Sequence, residues 1–293
     1  MVKKGFAAVT GGKIWYRVTG QDKKATPLLC LHGGPGLASD YLKPLDKLSD
    51  ERPVIRYDQL GSGRSERVKD TSLWTIEHYV NELEEVRRIF KLDRVFILGH
   101  SWGSMIAVEY MLKMRPEGVE GLILSGPCLS ASLWEKDQKR YVSELPDNIR
   151  SAIEEAERKE EYDTKEYRKA AMYYYKRHVC RLNPWPYSLI MTFVKMNTAI
   201  YKYMWGPSEF TVRGKLSNFE RARDLAGIKV CVLFICGQFD EATPATTAYY
   251  QSMLPTSRIA VLEGASHMQM LEKKSEFLKI VRDFLKTKHI HEG

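Results

Sequence analysis

A serine set between glycines, a late aspartate and a later histidine are the residues of this sequence that could do chemistry together. Gly99-His100-Ser101-Trp102-Gly103 follows the apolar run Val95-Phe96-Ile97-Leu98 and precedes a stretch with helical spacing (Met105, Ile106, Tyr110, Met111). A G-x-S-x-G between strand and helix puts its serine on a sharp turn in strained backbone, with glycines two positions to either side relieving the crowding. The hydroxyl then stands over the sheet at a helix N-terminus, where backbone N–H groups and the helix dipole favour developing negative charge. That is the setting of a nucleophile for acyl transfer.

Such a serine needs a base, and the base needs an acid to orient it. The seven histidines are His32, His78, His100, His178, His267, His289 and His291. Around this kind of turn the chain order is serine, acid, histidine. Residues 230–236 run apolar into Gly237-Gln238-Phe239-Asp240, which sets Asp240 at the end of a late strand. After it only His267, His289 and His291 remain, the last two in the C-terminal tail. The sequence therefore assigns Ser101 as nucleophile, His267 as base and Asp240 as orienting acid. His100 adjoins the serine, but neighbouring side chains on a tight turn point apart. His32 reads as a hydrogen-bonded scaffold residue. The loop Gly33-Gly34-Pro35-Gly36 ends an early strand beside this site. One of its N–H groups, by position that of Gly34, can complete an oxyanion hole with the N–H of Trp102. Neither glycine loop suits a phosphate: Gly61-Ser62-Gly63-Arg64-Ser65-Glu66 lacks the third glycine and no Walker lysine follows. No C-x-x-C or H-E-x-x-H occurs, so a dedicated structural or catalytic zinc site is not expected. No cofactor is expected either.

The elements that must carry these residues are legible as short apolar strands alternating with helices. Strand candidates are 14–18, 28–31, 54–57, 95–98, 122–124, 230–236 and 258–262. Residues 75–90 carry apolar side chains at helical spacing, and a last helix covers 275–286. Continuous apolar strands between helices predict a mostly parallel sheet covered on both faces. Residues 129–216 carry almost no strand signal; they hold charged helical stretches, many aromatics and several prolines. One sheet interrupted by a helical insertion follows: core 1–127, insertion 128–218, core 219–293. Residues 182–194 carry no charge, and Pro184 and Pro186 break any continuous interfacial helix there, so this stretch is expected to fold over the sheet as the insertion's apolar face.

The chain has 293 residues and a net charge of +8, but between residues 134 and 182 there are 12 Lys+Arg against 11 Asp+Glu, finely interspersed. That is a solvated helical surface rather than a basic stripe, so no nucleic-acid partner is expected. Lys3, Lys4, Lys286 and Lys288 place part of the surplus at the two tails. No apolar run reaches the length of a membrane span, and the first ten residues lack the apolar core of a secretory leader. Five cysteines, odd in number and mostly in apolar stretches, read as buried free thiols in a reducing, cytoplasmic setting.

His32-Gly33-Gly34-Pro35-Gly36, the 58–65 turn Asp58-Gln59-Leu60-Gly61-Ser62-Gly63-Arg64-Ser65, Gly99-His100-Ser101-Trp102-Gly103-Ser104 and Gly206-Pro207-Ser208-Glu209-Phe210 occur in that order. Together they resemble the prolyl aminopeptidases (proline iminopeptidases), serine peptidases of the α/β-hydrolase fold, over nearly the whole chain. The resemblance implies a helical cap over the site, no metal, and removal of an N-terminal residue, often proline, from short peptides with a free N-terminus. It also implies that two acids hold the substrate's α-ammonium; the matching positions are Glu209 and Glu241. Cap aromatics would supply an apolar slot, Trp205 and Tyr203 being nearest in sequence to Glu209. The chain departs from the family pattern at His100, where many members have glycine, and at Ser208, where asparagine is common. An amino-acid amidase or esterase on the same scaffold is the rival reading, and a non-catalytic binding protein a more distant one.

Overall fold

The computed structural model describes residues 2–286. His289, His291 and Lys288 lie outside them. An eight-stranded sheet runs in the order β1-β2-β4-β3-β5-β6-β7-β8. Its strands are β1 (Val2–Val9), β2 (Gly12–Thr19), β3 (Leu28–Leu31), β4 (Val54–Asp58), β5 (Val95–His100), β6 (Val119–Ser125), β7 (Cys231–Gly237) and β8 (Arg258–Leu262). β1 and β2 pair antiparallel, as do β2 and β4, and every pairing from β4 to β8 is parallel.

The central strands are apolar throughout because both faces are covered. Leu29, Leu31, Ile97, Leu122, Leu124 and Phe234 pack on one side with α1 (Ile76–Ile89) and α2 (Trp102–Met114). Leu28, Cys30, Leu98, Ile123, Leu233 and Ile235 face the other side, against the 3-10 segment Ser39–Asp50 and α10 (Lys274–Lys286). The two-residue alternation of a strand thus feeds two cores from one apolar run. Thr75 caps α1 by accepting the His78 N–H. Its Tyr79, Val80, Leu83 and Val86 line the buried stripe that the spacing foretold.

Between β6 and β7 stand five helices: α3 (Ala131–Ser143), α4 (Asp147–Lys159), α5 (Lys165–His178), α6 (Tyr187–Val194) and α7 (Thr198–Met204). α3 to α5 have a core of their own, including Tyr141, Ile149, Ile153, Tyr167 and Tyr174 with Phe210. Their outer faces carry the expected mixed charge, paired as Lys139–Glu135, Arg140–Glu144 and Lys159–Glu155. α8 (Pro244–Ser252) and the short α9 (Gln269–Glu272) complete the elements.

Three expectations need amendment. β1 is a strand the sequence did not announce: its residues are mostly exposed, and pairing with β2 along its whole length organises them. Lys3 and Lys4 accordingly sit on an edge strand rather than a loose tail, where charge discourages edge-to-edge pairing. The uncharged segment 182–194 only half folds inward, since α6 packs on Ser39–Asp50 but leaves Tyr187, Ile190 and Val194 exposed. The five cysteines are free, and all but the half-buried Cys231 are buried. Among the described residues no helix is long and apolar enough to cross a membrane.

Candidate active site

The turn between β5 and α2 holds Ser101 at φ 53°, ψ −122°, a left-handed backbone that is rare for a residue with a side chain. Its N–H is tied to the Ser125 carbonyl at the end of β6 at 2.9 Å. Both flanking glycines are sterically required. A Cβ on Gly99 would run into the Gly103 carbonyl, and one on Gly103 into the Leu31 carbonyl of β3. The strand-to-helix reversal fits only without those two side chains.

Asp240 and His267 arrive from the ends of β7 and β8. His267 Nδ1 lies 2.7 Å from Asp240 Oδ1. That carboxylate, fully buried, also accepts the N–H groups of Ala242 (2.8 Å) and Gly237 (3.1 Å) and the side-chain amide of Gln269. Ser101, His267, Gly34, Glu209 and Glu241 line one cavity of about 20 Å³, together with Gly33, Leu37, His100, Tyr175, Val179, Phe193 and Met268. Among the described residues no hydrogen bond joins Ser101 to His267. The nearest carboxylate to His267 Nε2 is instead Glu241, whose Oε1 is 3.4 Å away.

Neither the Gly34 nor the Trp102 N–H donates a hydrogen bond among the described residues, whereas the Gly33 N–H is taken by Tyr41. The Trp102 N–H belongs to the first turn of α2, where helical geometry leaves donors unpaired. The Trp102 indole points the other way and donates to Gln59 Oε1 at 2.8 Å. His32 is a scaffold residue: its Nε2 accepts the Gln59 N–H at 2.9 Å.

Glu209 and Glu241 are two acids at one small cavity. Glu241 is 1 % exposed, and its Oε2 finds no hydrogen-bond partner among the described residues. Burial, with the negative charges of Glu209 and Asp240 adding to it, holds the Glu241 carboxyl well above the usual range. Burial raises Glu209 as well, opposed by the nearby Tyr201 hydroxyl and His267. A buried carboxyl with an unpaired oxygen either keeps its proton or takes a cation as partner. Among the described residues no group of His, Cys, Asp and Glu is arranged to hold a metal.

Sequence reasoning missed four residues here. Gly126, at φ +54°, leaves room for the His267 ring: a Cβ there would lie 2.6 Å from His267 Cε1. Gln269 links Asp240 to the Ser125 hydroxyl (3.0 Å), and only its place two residues after His267 could have hinted at that. The aromatics on the cavity are Tyr175 and Phe193. Trp205 packs edge-on against Trp134, and Tyr203 against Trp74, so proximity in sequence to Glu209 was a poor guide. His100 does not point away from the site: its ring lines the cavity, with its centroid 4.5 Å from that of His267.

A mostly parallel sheet with a strained serine turn after its fifth strand defines the class. The family model described as alpha/beta hydrolase fold matches residues 26–274, and the chain belongs to that family. The proline iminopeptidase of Heyndrickxia coagulans is 43% identical over 288 residues, covering 98% of this chain and 100% of that protein. Among solved structures, VinJ superposes with a TM-score of 0.93 at 33% identity, covering 97% of this chain and 98% of that one. The proline iminopeptidase of Mycobacterium smegmatis superposes with a TM-score of 0.89 at 33% identity and 97% coverage of each chain. Within the fold, this chain belongs to the proline iminopeptidase family and is a hydrolase of the aminopeptidase type.

Proposed function

We propose that the protein is a serine exopeptidase that releases an N-terminal residue, proline or another apolar one, from short peptides by acyl transfer. Ser101 attacks the carbonyl of the first residue while His267 takes its proton. The same imidazole then returns the proton to the leaving amine, and water hydrolyses the acyl-enzyme by the reverse route. Asp240 fixes the Nδ1–H tautomer and stabilises the imidazolium. The N–H groups of Gly34 and Trp102 meet the tetrahedral oxyanion, worth roughly 2.7–4 kcal/mol per donor. The helices of the insertion act as a cap, and Leu37, Val179, Phe193 and Met268 offer the first side chain an apolar wall.

The observation that carries this reading is the unpartnered Glu241 oxygen beside Glu209, in the cavity that Ser101 and His267 also line. An α-ammonium placed there neutralises both acids and draws Glu241 off His267 Nε2, freeing that nitrogen for Ser101. A cavity of about 20 Å³ is too small for a residue, so substrate entry requires the cap to yield.

The test is hydrolysis of Pro-, Ala- and Phe-arylamides, free and N-acetylated, beside a short-chain acyl ester. Free amines should be strongly preferred, and equal rates on the acetylated compounds would reject the ammonium site. Glu209→Gln should lose about 10²-fold in kcat/KM on free amines while ester turnover stands. Serine-directed phosphonate should label the protein and fail to label Ser101→Ala.

A further inference from the structure

Two buried side chains that take no part in the chemistry above, Tyr41 and His100, connect the oxyanion loop to the base. The Gly33 N–H donates to the Tyr41 oxygen at 2.7 Å. That oxygen lies 2.8 Å from His100 Nδ1, and His100 Nε2 lies 3.0 Å from the His267 carbonyl oxygen. Chemistry fixes the direction of each bond. A backbone N–H can only donate, so the tyrosine oxygen accepts from Gly33. A carbonyl can only accept, so Nε2 carries the imidazole proton. Nδ1 of the neutral ring is then an acceptor, and the phenolic O–H is given to it. Both side chains are fully buried, and Tyr41 meets the His100 ring edge-on at 5.1 Å. Burial, reinforced by His267, holds the His100 imidazole well below its usual range, in keeping with a neutral ring.

We propose that Tyr41 and His100 are positioning residues, a hydrogen-bonded strut that sets the Gly33–Gly34 peptide against the backbone of His267. His100 is also bonded in sequence to Ser101, so the strut has three anchors: the oxyanion loop, the nucleophile turn and the loop of the base. With Gly33 committed to Tyr41, the next N–H, that of Gly34, makes no hydrogen bond among the described residues, and Gly34 lines the cavity. The advantage over a loop held by van der Waals packing alone is directional: a loop rotated by one hydrogen bond would turn the Gly34 N–H off the oxyanion. The inference rests on the reading of Ser101 and His267 given above.

Tyr41→Phe keeps the ring and removes the hydroxyl, leaving the Gly33 N–H and His100 Nδ1 unpaired. The measurements are kcat and KM on an aminoacyl arylamide and on a short-chain ester, the rate of phosphonate labelling, and thermal melting. We expect kcat to fall about 10²-fold on both substrates, the loss typical of a misplaced oxyanion donor, with KM within about twofold. Labelling should slow in parallel. His100→Gln keeps an N–H for the His267 carbonyl and should turn over about tenfold faster than His100→Leu, which keeps none. A lowered melting temperature with unchanged kcat in Tyr41→Phe would show a purely structural role and overturn the proposal. So would a loss confined to KM, or equal activity in the Gln and Leu variants. Wild-type protein that turns over the ester but not the arylamide would sink the peptidase reading instead, with the strut still read on the ester.

Discussion

Asp240 accepts from four donors drawn from three places: the His267 ring, two N–H groups of its own turn, and the Gln269 amide. Gln269 reaches Oδ2, the oxygen turned away from His267, and is itself held by the Ser125 hydroxyl. Replacing it by leucine leaves Oδ2 with the Gly237 N–H alone, free to rotate off the imidazole axis. Gln269→Leu should cost about tenfold in kcat, with KM for a free-amine substrate little changed. Gly126→Ala acts on the ring itself. Its methyl group would press on His267 at 2.6–2.7 Å, in a backbone region that already disfavours side chains. On the proposed mechanism the expected result is a fall in kcat of about 10²-fold, because an imidazole displaced by 1 Å is misplaced for proton transfer from Ser101. Steady-state kinetics on one arylamide checks both, and wild-type turnover in either variant would show that its residue does not hold the base in place.

At the scale of elements, the acid loop is gripped by the helices that follow β6. Three successive carbonyls each accept from a side chain of α3 or α5: Phe239 from His178 Nδ1 (3.0 Å), Asp240 from the Tyr141 hydroxyl (3.1 Å) and Glu241 from the Gln138 amide (2.8 Å). Asp240 thus owes its position partly to α3 and α5. α6 differs, with one face exposed and Phe193 on the cavity. Phe193→Ala should widen the apolar slot and raise the kcat/KM ratio of Phe- over Pro-arylamide by about tenfold, and an unchanged ratio would remove Phe193 from the slot. Which parts of this were legible in sequence follows from range. The strands β3 to β8 and the α1 stripe are local apolar patterns, and Ser101, His267 and Asp240 stand at punctuated strand ends. Gly34 and Trp102 could be reached the same way, since an N–H is placed by its turn. Glu209 and Glu241 needed a family resemblance, because nothing local distinguishes them from surface acids. Long-range side-chain pairings left no local trace: Gln269 beneath Asp240, Tyr41 against His100, and Phe193 rather than Trp205 on the cavity. β1 escaped because its order comes from a partner strand.

Across the whole molecule, buried ionisable groups set how stability varies with pH. Glu82 is 2 % exposed; its Oε2 accepts the Leu60 N–H at 2.8 Å, and its Oε1 has no hydrogen-bond partner among the described residues. Burial raises its pKa from 4.5 to about 8. Glu209 and Glu241 are raised for the same first reason. For such groups the folded state holds its proton where the unfolded chain has released it. Their cost to folding therefore begins near pH 4.5 and grows until the folded carboxyl ionises, near pH 8 for Glu82. Buried histidines act in the opposite sense: His100 is lowered well below 6.5 and His178 to about 4, chiefly by burial. They favour folding above pH 6.5, and that contribution is lost as pH falls from 6.5 toward 4. The histidine contribution levels off about a unit above pH 6.5 while the carboxyl cost goes on growing, so stability should decline toward pH 8. At pH 7 linkage makes the Glu82 share about 3 kcal/mol. Glu82→Gln keeps an oxygen for the Leu60 N–H and removes the ionisable proton, so it should gain about 2 kcal/mol at pH 7 and little at pH 4.5, flattening the upper limb. Urea unfolding of both proteins across pH 4.5–8 reads this directly. Parallel curves for variant and wild type would mean that Glu82 is already ionised in the folded protein. A free-amine ligand should restore part of the remaining decline, since its cation compensates Glu209 and Glu241 without touching Glu82.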